Sequence, residues 1–246
     1  MDTGYLIAAA VASTAVGLSK GGLPMIGMLA VPVLALAVPA PVAAGLLLPI
    51  YVVSDIFGVV AYRREFSRRN LMILVPAGIA GIAFGWATAA YVPERAVTLL
   101  VGFIGIAFCI NIFLQRGKTV PARRADVPRG LFWGATAGFT SFVSHSGAPP
   151  YQMYVLPQKL EKMVFAGTST ILFAVINAVK LIPYAALGLL SVDSLKTMLP
   201  MYPVAILATF AGVKLMRIIP QDLFFKLVLV ALFVVSLKLC YDGAMQ

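Results

Sequence analysis

The sequence predicts an all-α, polytopic membrane protein built from two inverted repeats. Hydrophobic residues make up 61% of the 246 residues and charged residues only 11%, whereas a soluble domain carries about 25% charged residues. Apolar stretches long enough to cross a membrane recur along the chain. Breaks rich in glycine and proline also occur at matching places in its two halves. The composition therefore excludes a large soluble domain.

The apolar stretches are interrupted at two unusual points, SKGGLP (19–24) and SHSGAPP (144–150). Several stretches beside these breaks are shorter than the roughly 20 residues of a crossing. If each break lies at the tip of a re-entrant hairpin, the chain has six full spans and two hairpins. If every stretch crosses the membrane, the chain has ten full spans. The stretches are 5–18, 22–38, 41–62, 71–92, 96–114, 130–144, 148–157, 163–190, 194–216 and 221–241.

The two halves of the chain match in the spacing of individual residues. Six pairs occur in the same order at offsets of 122 to 127 residues. They are Pro24 and Pro149, Gly45 and Gly167, Asp55 and Asn177, Tyr62 and Tyr184, Pro76 and Pro200, and Pro93 and Pro220. We therefore predict a first transmembrane repeat over 1–115, a basic cytoplasmic linker over 116–129 and a second transmembrane repeat over 130–246. Each repeat would hold a broken helix or hairpin and about three full spans.

The basic residues predict the orientation. The net charge of +10 is concentrated in loops such as YRREFSRRN (62–70) and QRGKTVPARRADVPR (115–129), and an excess of Lys and Arg is typical of cytoplasmic loops. The counterpart of the arginine-rich loop in the second half, LGLLSVDSL (187–195), has an acid and no base. This asymmetry favours inverted repeats with the basic loops cytoplasmic. The orientation of the protein in the lipid bilayer accounts for the positive net charge, and we expect no nucleic acid as a partner.

The two breaks predict a binding site for a small anion. Glycine and proline would place a helix N-terminus inside the membrane at each break, and such an end carries about half a positive charge and unpaired N–H groups. Inverted repeats would bring the two ends together near the midplane. Alternatively, Gly and Pro only kink packed helices, Lys20 extends to water and His145 bonds a carbonyl. The break residues that we assign to substrate binding are Ser19, Lys20, Gly21, Gly22, Pro24, Ser144, His145, Ser146, Gly147 and Pro149.

Charged residues inside the apolar stretches predict further members of the site. Asp55 lies in 41–62 and Lys180 in 163–190, and charges at membrane depth usually mark a pathway or a partner. Lys180 is expected either to meet an anionic substrate or to pair with Asp55, and a structural ion pair is the alternative to function. We assign Asn177, Lys180 and Tyr184 to substrate binding and Asp55, Tyr62 and His145 to coupling or gating. Individually, the tyrosines also fit interface anchors, and Asp55 or His145 fits a proton carrier.

Other function classes find less support in the sequence. Motifs of the type G-x-x-x-x-G-K-[ST], H-E-x-x-H and G-x-S-x-G are lacking, which argues against an ATP-driven motor and against an intramembrane enzyme. Cys109 and Cys240 have no metal or redox spacing and read as packing residues. We expect no enzymatic activity, no cofactor and no metal. The alternative function of a channel is also consistent with the sequence.

Three segments carry a resemblance to a known family. GLSKGGLPMIGMLAVPVL, DIFGVVAYRREFSRRNLMILVPAGIAG and GTSTILFAVINAVKLIPYAALG resemble the sulfite exporter TauE/SafE family of bacterial transporters, and the resemblance covers almost the whole chain. It implies a multi-pass permease of the bacterial inner membrane for small anions such as sulfite, thiosulfate or organosulfonates. We expect a secondary transporter, in the direction of export, coupled to a proton or another ion. A channel or permease for small carboxylates is the alternative, and a homodimer is an open possibility.

Overall fold

The fold is helical throughout the residues that the structure describes. This computed structural model describes residues 3–89, 91, 93–114, 121–190 and 192–245. Two short 3₁₀ segments, Ile26–Leu29 and Leu156–Gln158, accompany the α-helices. The all-α class is confirmed. The helices are α1 Thr3–Lys20, α2 Ala30–Leu34, α3 Ala40–Tyr62, α4 Arg68–Thr88, α5 Glu94–Leu114, α6 Val127–Ser144, α7 Ala148–Val155, α8 Lys162–Ala186, α9 Val192–Thr197, α10 Met201–Ile218 and α11 Gln221–Met245.

Six helices within the described residues are long and apolar enough to cross a membrane. They contain the segments Val42–Tyr62, Arg68–Thr88, Arg95–Leu114, Lys162–Ala186, Met201–Ile218 and Gln221–Ala244. The chain is therefore a multi-pass membrane protein. This number equals the full spans of the hairpin alternative, and α1 and α6, which lead into the two breaks, are not among the six.

The chain forms two compact units, each of which draws on both halves of the sequence. The first unit comprises Met1–Ser67 and Met163–Ile219, and the second comprises Arg68–Lys162 and Pro220–Gln246. The predicted division into 1–115, 116–129 and 130–246 concerns halves of the sequence and stays a prediction. Residues 116–120 of the predicted linker lie outside the described residues.

In the first unit, α3 and α8 contact each other reciprocally. A Cβ at Gly45, near the start of α3, would overlap the carbonyl oxygen of Leu189, just beyond α8. A Cβ at Gly167, near the start of α8, would overlap the carbonyl oxygen of Glu65, just beyond α3. The two helices are thus antiparallel, and the matched pair Gly45 and Gly167 makes equivalent contacts, as a two-fold axis requires. The inverted repeats of the two halves stay a prediction.

Glycines also set the packing of α1 on α10 in the same unit. A Cβ at Gly17 would overlap the carbonyl oxygen of Ala205, and a Cβ at Gly21 would lie 2.5 Å from Cα of Gly212. Between membrane helices, small residues four apart let the backbones approach closely, and dispersion contacts then hold the helices together. The end of α1, where the first break begins, is therefore fixed against α10.

In the second unit, the same kind of packing joins α4 to α6. Gly130, Gly134 and Gly138 lie four residues apart on α6. A Cβ at Gly138 would overlap the carbonyl oxygen of Gly78 on α4, and a Cβ at Gly134 would lie 2.9 Å from Cβ of Ala77. The spacing is the small-xxx-small pattern of tightly packed membrane helices.

Gly138→Val is expected to destabilise the protein by about 3 kcal/mol or more, because the added side chain has to push α6 away from α4. The matched control is Ala80→Val, since Ala80 is an exposed residue of α4. The check is the midpoint of thermal unfolding in detergent. Equal midpoints for the two variants would contradict the close packing of α4 and α6.

Candidate functional site

The charged side chains that are buried in the described residues are Lys20, Asp55 and Lys180, and all three belong to the first unit. Their exposed fractions are 4%, 3% and 0%. Lys20 is the last residue of α1, Asp55 lies on α3 and Lys180 lies on α8. We call these three residues the charged cluster. Burial of a charge costs several kcal/mol unless it is compensated, so the cluster calls for a physical explanation.

The carboxylate of Asp55 has a different partner on each oxygen. Lys20 Nζ lies 2.8 Å from Asp55 Oδ1 as an ion pair, and Asn177 Nδ2 donates a hydrogen bond of 2.8 Å to Asp55 Oδ2. The position of Lys20 in the last turn of α1 is favourable for a cation, since the macrodipole is negative there. Asp55 and Asn177 are a matched pair of the two sequence halves, and the fold places them in direct contact.

Lys180 is a second buried lysine of the cluster. The side chain interacts electrostatically with both Lys20 and Asp55, and Lys180 Nζ lies 5.6 Å from the ring centroid of Tyr184. Of the two lysines, Lys20 forms the ion pair with Asp55. With all three side chains ionised, the buried cluster carries a net charge of +1 (two Lys and one Asp). A single bound negative charge would balance it.

Aromatic rings surround the ammonium group of Lys20. Lys20 Nζ lies 5.1 Å from the ring centroid of Tyr51 and 5.9 Å from that of Phe173, within the range of cation–π attraction. The Tyr51 hydroxyl donates a hydrogen bond of 2.5 Å to the carbonyl oxygen of Gly27, in the 3₁₀ segment after the first break. Tyr51 thus connects the first break to the charged cluster.

The first break ends α1 with a Schellman motif. The Leu23 N–H donates to the Leu18 carbonyl oxygen and the Gly22 N–H to that of Ser19, each at 3.2 Å. Gly22 has φ of +116°, a conformation that glycine tolerates without a steric penalty. The Ser19 hydroxyl donates to the Val16 carbonyl oxygen at 2.8 Å, so it takes part in the local helix end.

Two side chains from α3 and α8 hold the backbone of this break. The Tyr62 hydroxyl donates to the Gly21 carbonyl oxygen at 2.6 Å, and Thr170 Oγ1 donates to the Lys20 carbonyl oxygen at 3.2 Å. These bonds satisfy two carbonyl groups at the end of α1, which have no partner within the helix. Tyr62 and Tyr184 are both buried, so they are not anchors at a membrane interface.

The prediction that glycine and proline place a helix N-terminus at each break is wrong for Pro24 in the first break. Pro24 lies in a turn, a 3₁₀ segment follows from Ile26, and the next α-helix begins at Ala30. The cause is the bonding that follows the left-handed cap: the Ile26 N–H donates to the Leu23 carbonyl oxygen and the Met28 N–H to that of Met25. Bonds between residues three apart make a 3₁₀ turn in place of an α-helical one.

The second break belongs to the second unit. There α6 ends at Ser144, and His145 takes a left-handed conformation with φ of 53°. The His145 N–H donates to the Thr140 carbonyl oxygen. The hydroxyl of Ser144 also donates to the Thr140 carbonyl oxygen, at 3.3 Å, and that of Ser146 to the Ser144 carbonyl oxygen, at 3.1 Å. Both serine hydroxyls thus support the local backbone.

After this break a new helix begins, as the sequence predicts. It is α7, which starts at Ala148 with Gly147 as the preceding cap and proline in its first turn. The structure describes the two breaks in separate units. Anion binding by Ser144, His145, Ser146, Gly147 and Pro149 stays a prediction, as does a coupling role of His145.

The conformation of His145 leads to a test of its backbone role. His145→Gly and His145→Ala both remove the imidazole, but only glycine adopts φ of 53° without strain. We expect His145→Gly to be more stable than His145→Ala by about 1 kcal/mol. Thermal unfolding of the two variants checks this. A His145→Ala variant as stable as His145→Gly would show that the left-handed cap is not maintained.

Two members of the site were not predicted from the sequence, Tyr51 and Phe173. Their spacing along the helices indicates that they lie on the same faces as other members of the site. Tyr51 precedes Asp55 by one turn of α3, and Phe173, Asn177 and Lys180 follow each other at intervals of four and three residues on α8. Residues at such intervals lie on one face of a helix. In the described residues, no group of three or more His, Cys, Asp or Glu is placed to hold a metal ion.

The family of the chain is shown by a match to a family model. The comparisons with curated proteins and with solved structures gave no match. The family model of the sulfite exporter TauE/SafE matches residues 5–239, which is nearly the whole chain and includes the charged cluster and both breaks. The chain belongs to the sulfite exporter TauE/SafE family.

Proposed function

We propose that this protein is a secondary transporter that exports small sulfur-containing anions, such as sulfite, thiosulfate or organosulfonates, and that the charged cluster binds the anion. One observation carries the proposal. The buried charged residues that the structure describes in the first unit are two lysines, Lys20 and Lys180, and one carboxylate, Asp55, which is paired with Lys20. Membership in a family of sulfite exporters gives the chemical class of the cargo.

The charge count favours an anion over a cation or a neutral solute. With all three side chains ionised, a cation would raise the charge of the cluster to +2, and a neutral solute would leave it at +1. An oxyanion instead accepts charge-assisted hydrogen bonds from ammonium groups, which are about twice as strong as neutral ones. The anion would bind in the first unit, beside the end of α1 and the faces of α3 and α8 that carry the cluster.

Coupling to an ion gradient is part of the proposal. The sequence has no phosphate-binding loop of the G-x-x-x-x-G-K-[ST] type, so ATP hydrolysis by this chain is not expected. Asp55 lies in contact with Lys20 and is the candidate for the coupling proton. Tyr62, which bonds the backbone of the first break, is the candidate for gating, because its release would remove one of the hydrogen bonds that hold the end of α1.

The test is transport by the purified protein in liposomes. We expect saturable uptake of radiolabelled thiosulfate that accumulates against its gradient when a proton gradient is imposed. Excess sulfite or methanesulfonate should compete, and acetate and choline should not. Flux that only equilibrates thiosulfate, under every imposed gradient, would favour a channel. Competition by acetate and not by methanesulfonate would favour a carboxylate permease.

We also propose that the protein lies in the inner membrane with its basic loops cytoplasmic. Arg63, Arg64 and Arg68 are exposed around the connection from α3 to α4, as the excess of basic residues in cytoplasmic loops would require. In a variant without Cys109 and Cys240, a cysteine at position 64 should react with an impermeant maleimide in inverted vesicles and not in intact cells. Labelling in intact cells would show that the protein has the opposite orientation.

A further inference from the structure

We infer that the occupied site is electrically neutral, so that a divalent anion binds with one proton more than a monovalent anion does, and that Asp55 Oδ1 accepts this proton. The inference rests on the proposed function and specifies how the same site handles the charge of its cargo. It concerns a property that distinguishes sulfur anions from one another, since thiosulfate is a dianion at neutral pH and alkyl sulfonates are monoanions.

The first step is the charge of the cluster. With Lys20, Asp55 and Lys180 ionised, one negative charge balances the site and a second negative charge leaves an excess of −1. An uncompensated buried charge costs several kcal/mol, whereas a proton taken from solvent removes the excess. Whatever the protonation of Lys180 in the empty site, the dianion requires one proton more than the monoanion.

The second step is the identity of the proton acceptor. Of the three charges, only the carboxylate of Asp55 becomes neutral by gaining a proton. The groups that act on it are Lys20 of α1, Asn177 and Lys180 of α8, and Tyr51 on its own helix. Two other charged residues, Arg217 of α10 and Glu65, interact electrostatically with Tyr62.

The third step is the choice between the two oxygens of Asp55. Oδ2 accepts the hydrogen bond from Asn177, and this bond from a neutral amide persists when the carboxyl group is protonated. Oδ1 lies 2.8 Å from Lys20 Nζ. A proton on Oδ1 replaces this ion pair, and the Lys20 ammonium then turns to the second negative charge of the anion. Protonation of Asp55 and engagement of Lys20 by a dianion are thus one event.

The experiment measures protons taken up on binding. Thiosulfate and methanesulfonate are titrated calorimetrically into the purified protein at one pH, in buffers that differ in their enthalpy of ionisation. We expect thiosulfate to take up about one proton more than methanesulfonate. Its affinity should accordingly fall with rising pH about tenfold per unit more steeply than that of methanesulfonate. Equal proton uptake by both anions would overturn the inference while leaving the proposed function intact. Absence of binding by both would overturn the proposed function itself.

A variant tests the role of Asp55 separately. In Asp55→Asn the carboxamide does not accept a proton, so the additional uptake with thiosulfate should disappear. The matched control is Asp222→Asn, which changes an exposed acid on α11 and should retain the additional uptake. An Asp55→Asn variant that still takes up the additional proton would overturn the assignment to Asp55. If this variant does not fold, the comparison of the two anions on the unmodified protein still decides whether the occupied site is neutral.

Discussion

Lys180→Met is expected to weaken anion binding at least tenfold and to leave the protein as stable as before or more stable. Methionine fills a similar volume without the charge, so the remaining pair of Lys20 and Asp55 is neutral and the site no longer attracts an anion. The change leaves this pair intact and removes the cost of burying a third charged group. A tenfold loss corresponds to about 1.4 kcal/mol of binding free energy. Binding is measured by calorimetry with thiosulfate, and stability by thermal unfolding.

The combination of the two readouts separates a binding lysine from a structural one. Lys214 is an exposed lysine of α10, in the same unit, so Lys214→Met is the matched control and should change neither quantity. If Lys180→Met instead lowers stability by several kcal/mol and retains its affinity for thiosulfate, Lys180 serves the fold and the proposed site is wrong.

Asp55→Ala is expected to lower the free energy of unfolding by about 3–5 kcal/mol, because removal of one partner leaves buried charge without compensation. Lys20 loses its ion-pair partner and Asn177 loses its hydrogen-bond acceptor, while two buried lysines remain. The measurement is unfolding of the purified variant in detergent against the unmodified protein. An exposed acid changed in the same way, Asp222→Ala, should have little effect.

A double-mutant cycle shows whether this loss comes from the ion pair. Lys20→Met combined with Asp55→Leu removes both charges, so the double variant should be more stable than Asp55→Ala by a few kcal/mol. The change in unfolding free energy of the double variant should also differ clearly from the sum of the changes in Lys20→Met and in Asp55→Leu, since the effects of substitutions at residues in contact are not additive. Simple additivity would contradict direct pairing of Lys20 with Asp55.

The sequence predicts the helical class and the two breaks because each leaves a local signature. Apolar stretches of spanning length indicate membrane helices, and Gly22 with its neighbours indicates a helix end. The second break was also predicted well, since a helix does begin after Gly147. At the first break the same reasoning failed at Pro24, because the hydrogen bonds that follow the left-handed cap lead into a 3₁₀ segment.

The partners of the buried charges are harder to predict from the sequence. Helical spacing indicates that Asn177 and Lys180 share a face of α8, but not which helix lies opposite that face. The pairing of Lys20 with Asp55 depends on the approach of the end of α1 to α3. Small residues such as Gly17 and Gly21 let α1 pack closely against α10, and this packing sets the position of α1. The sequence therefore leaves two partners possible for Lys180, an anionic substrate or Asp55, and predicts no protein partner for Lys20.

The most direct test of the central claim, that the charged cluster binds a sulfur-containing anion, is stabilisation of the purified protein by thiosulfate. A ligand that binds only the folded state raises the free energy of unfolding by about 2.7 kcal/mol at 100 times its dissociation constant. The thermal midpoint should therefore rise with thiosulfate concentration in the unmodified protein and in Lys214→Met, and the same rise in Lys180→Met should need at least about ten times more thiosulfate. An equal rise in Lys180→Met would contradict the claim.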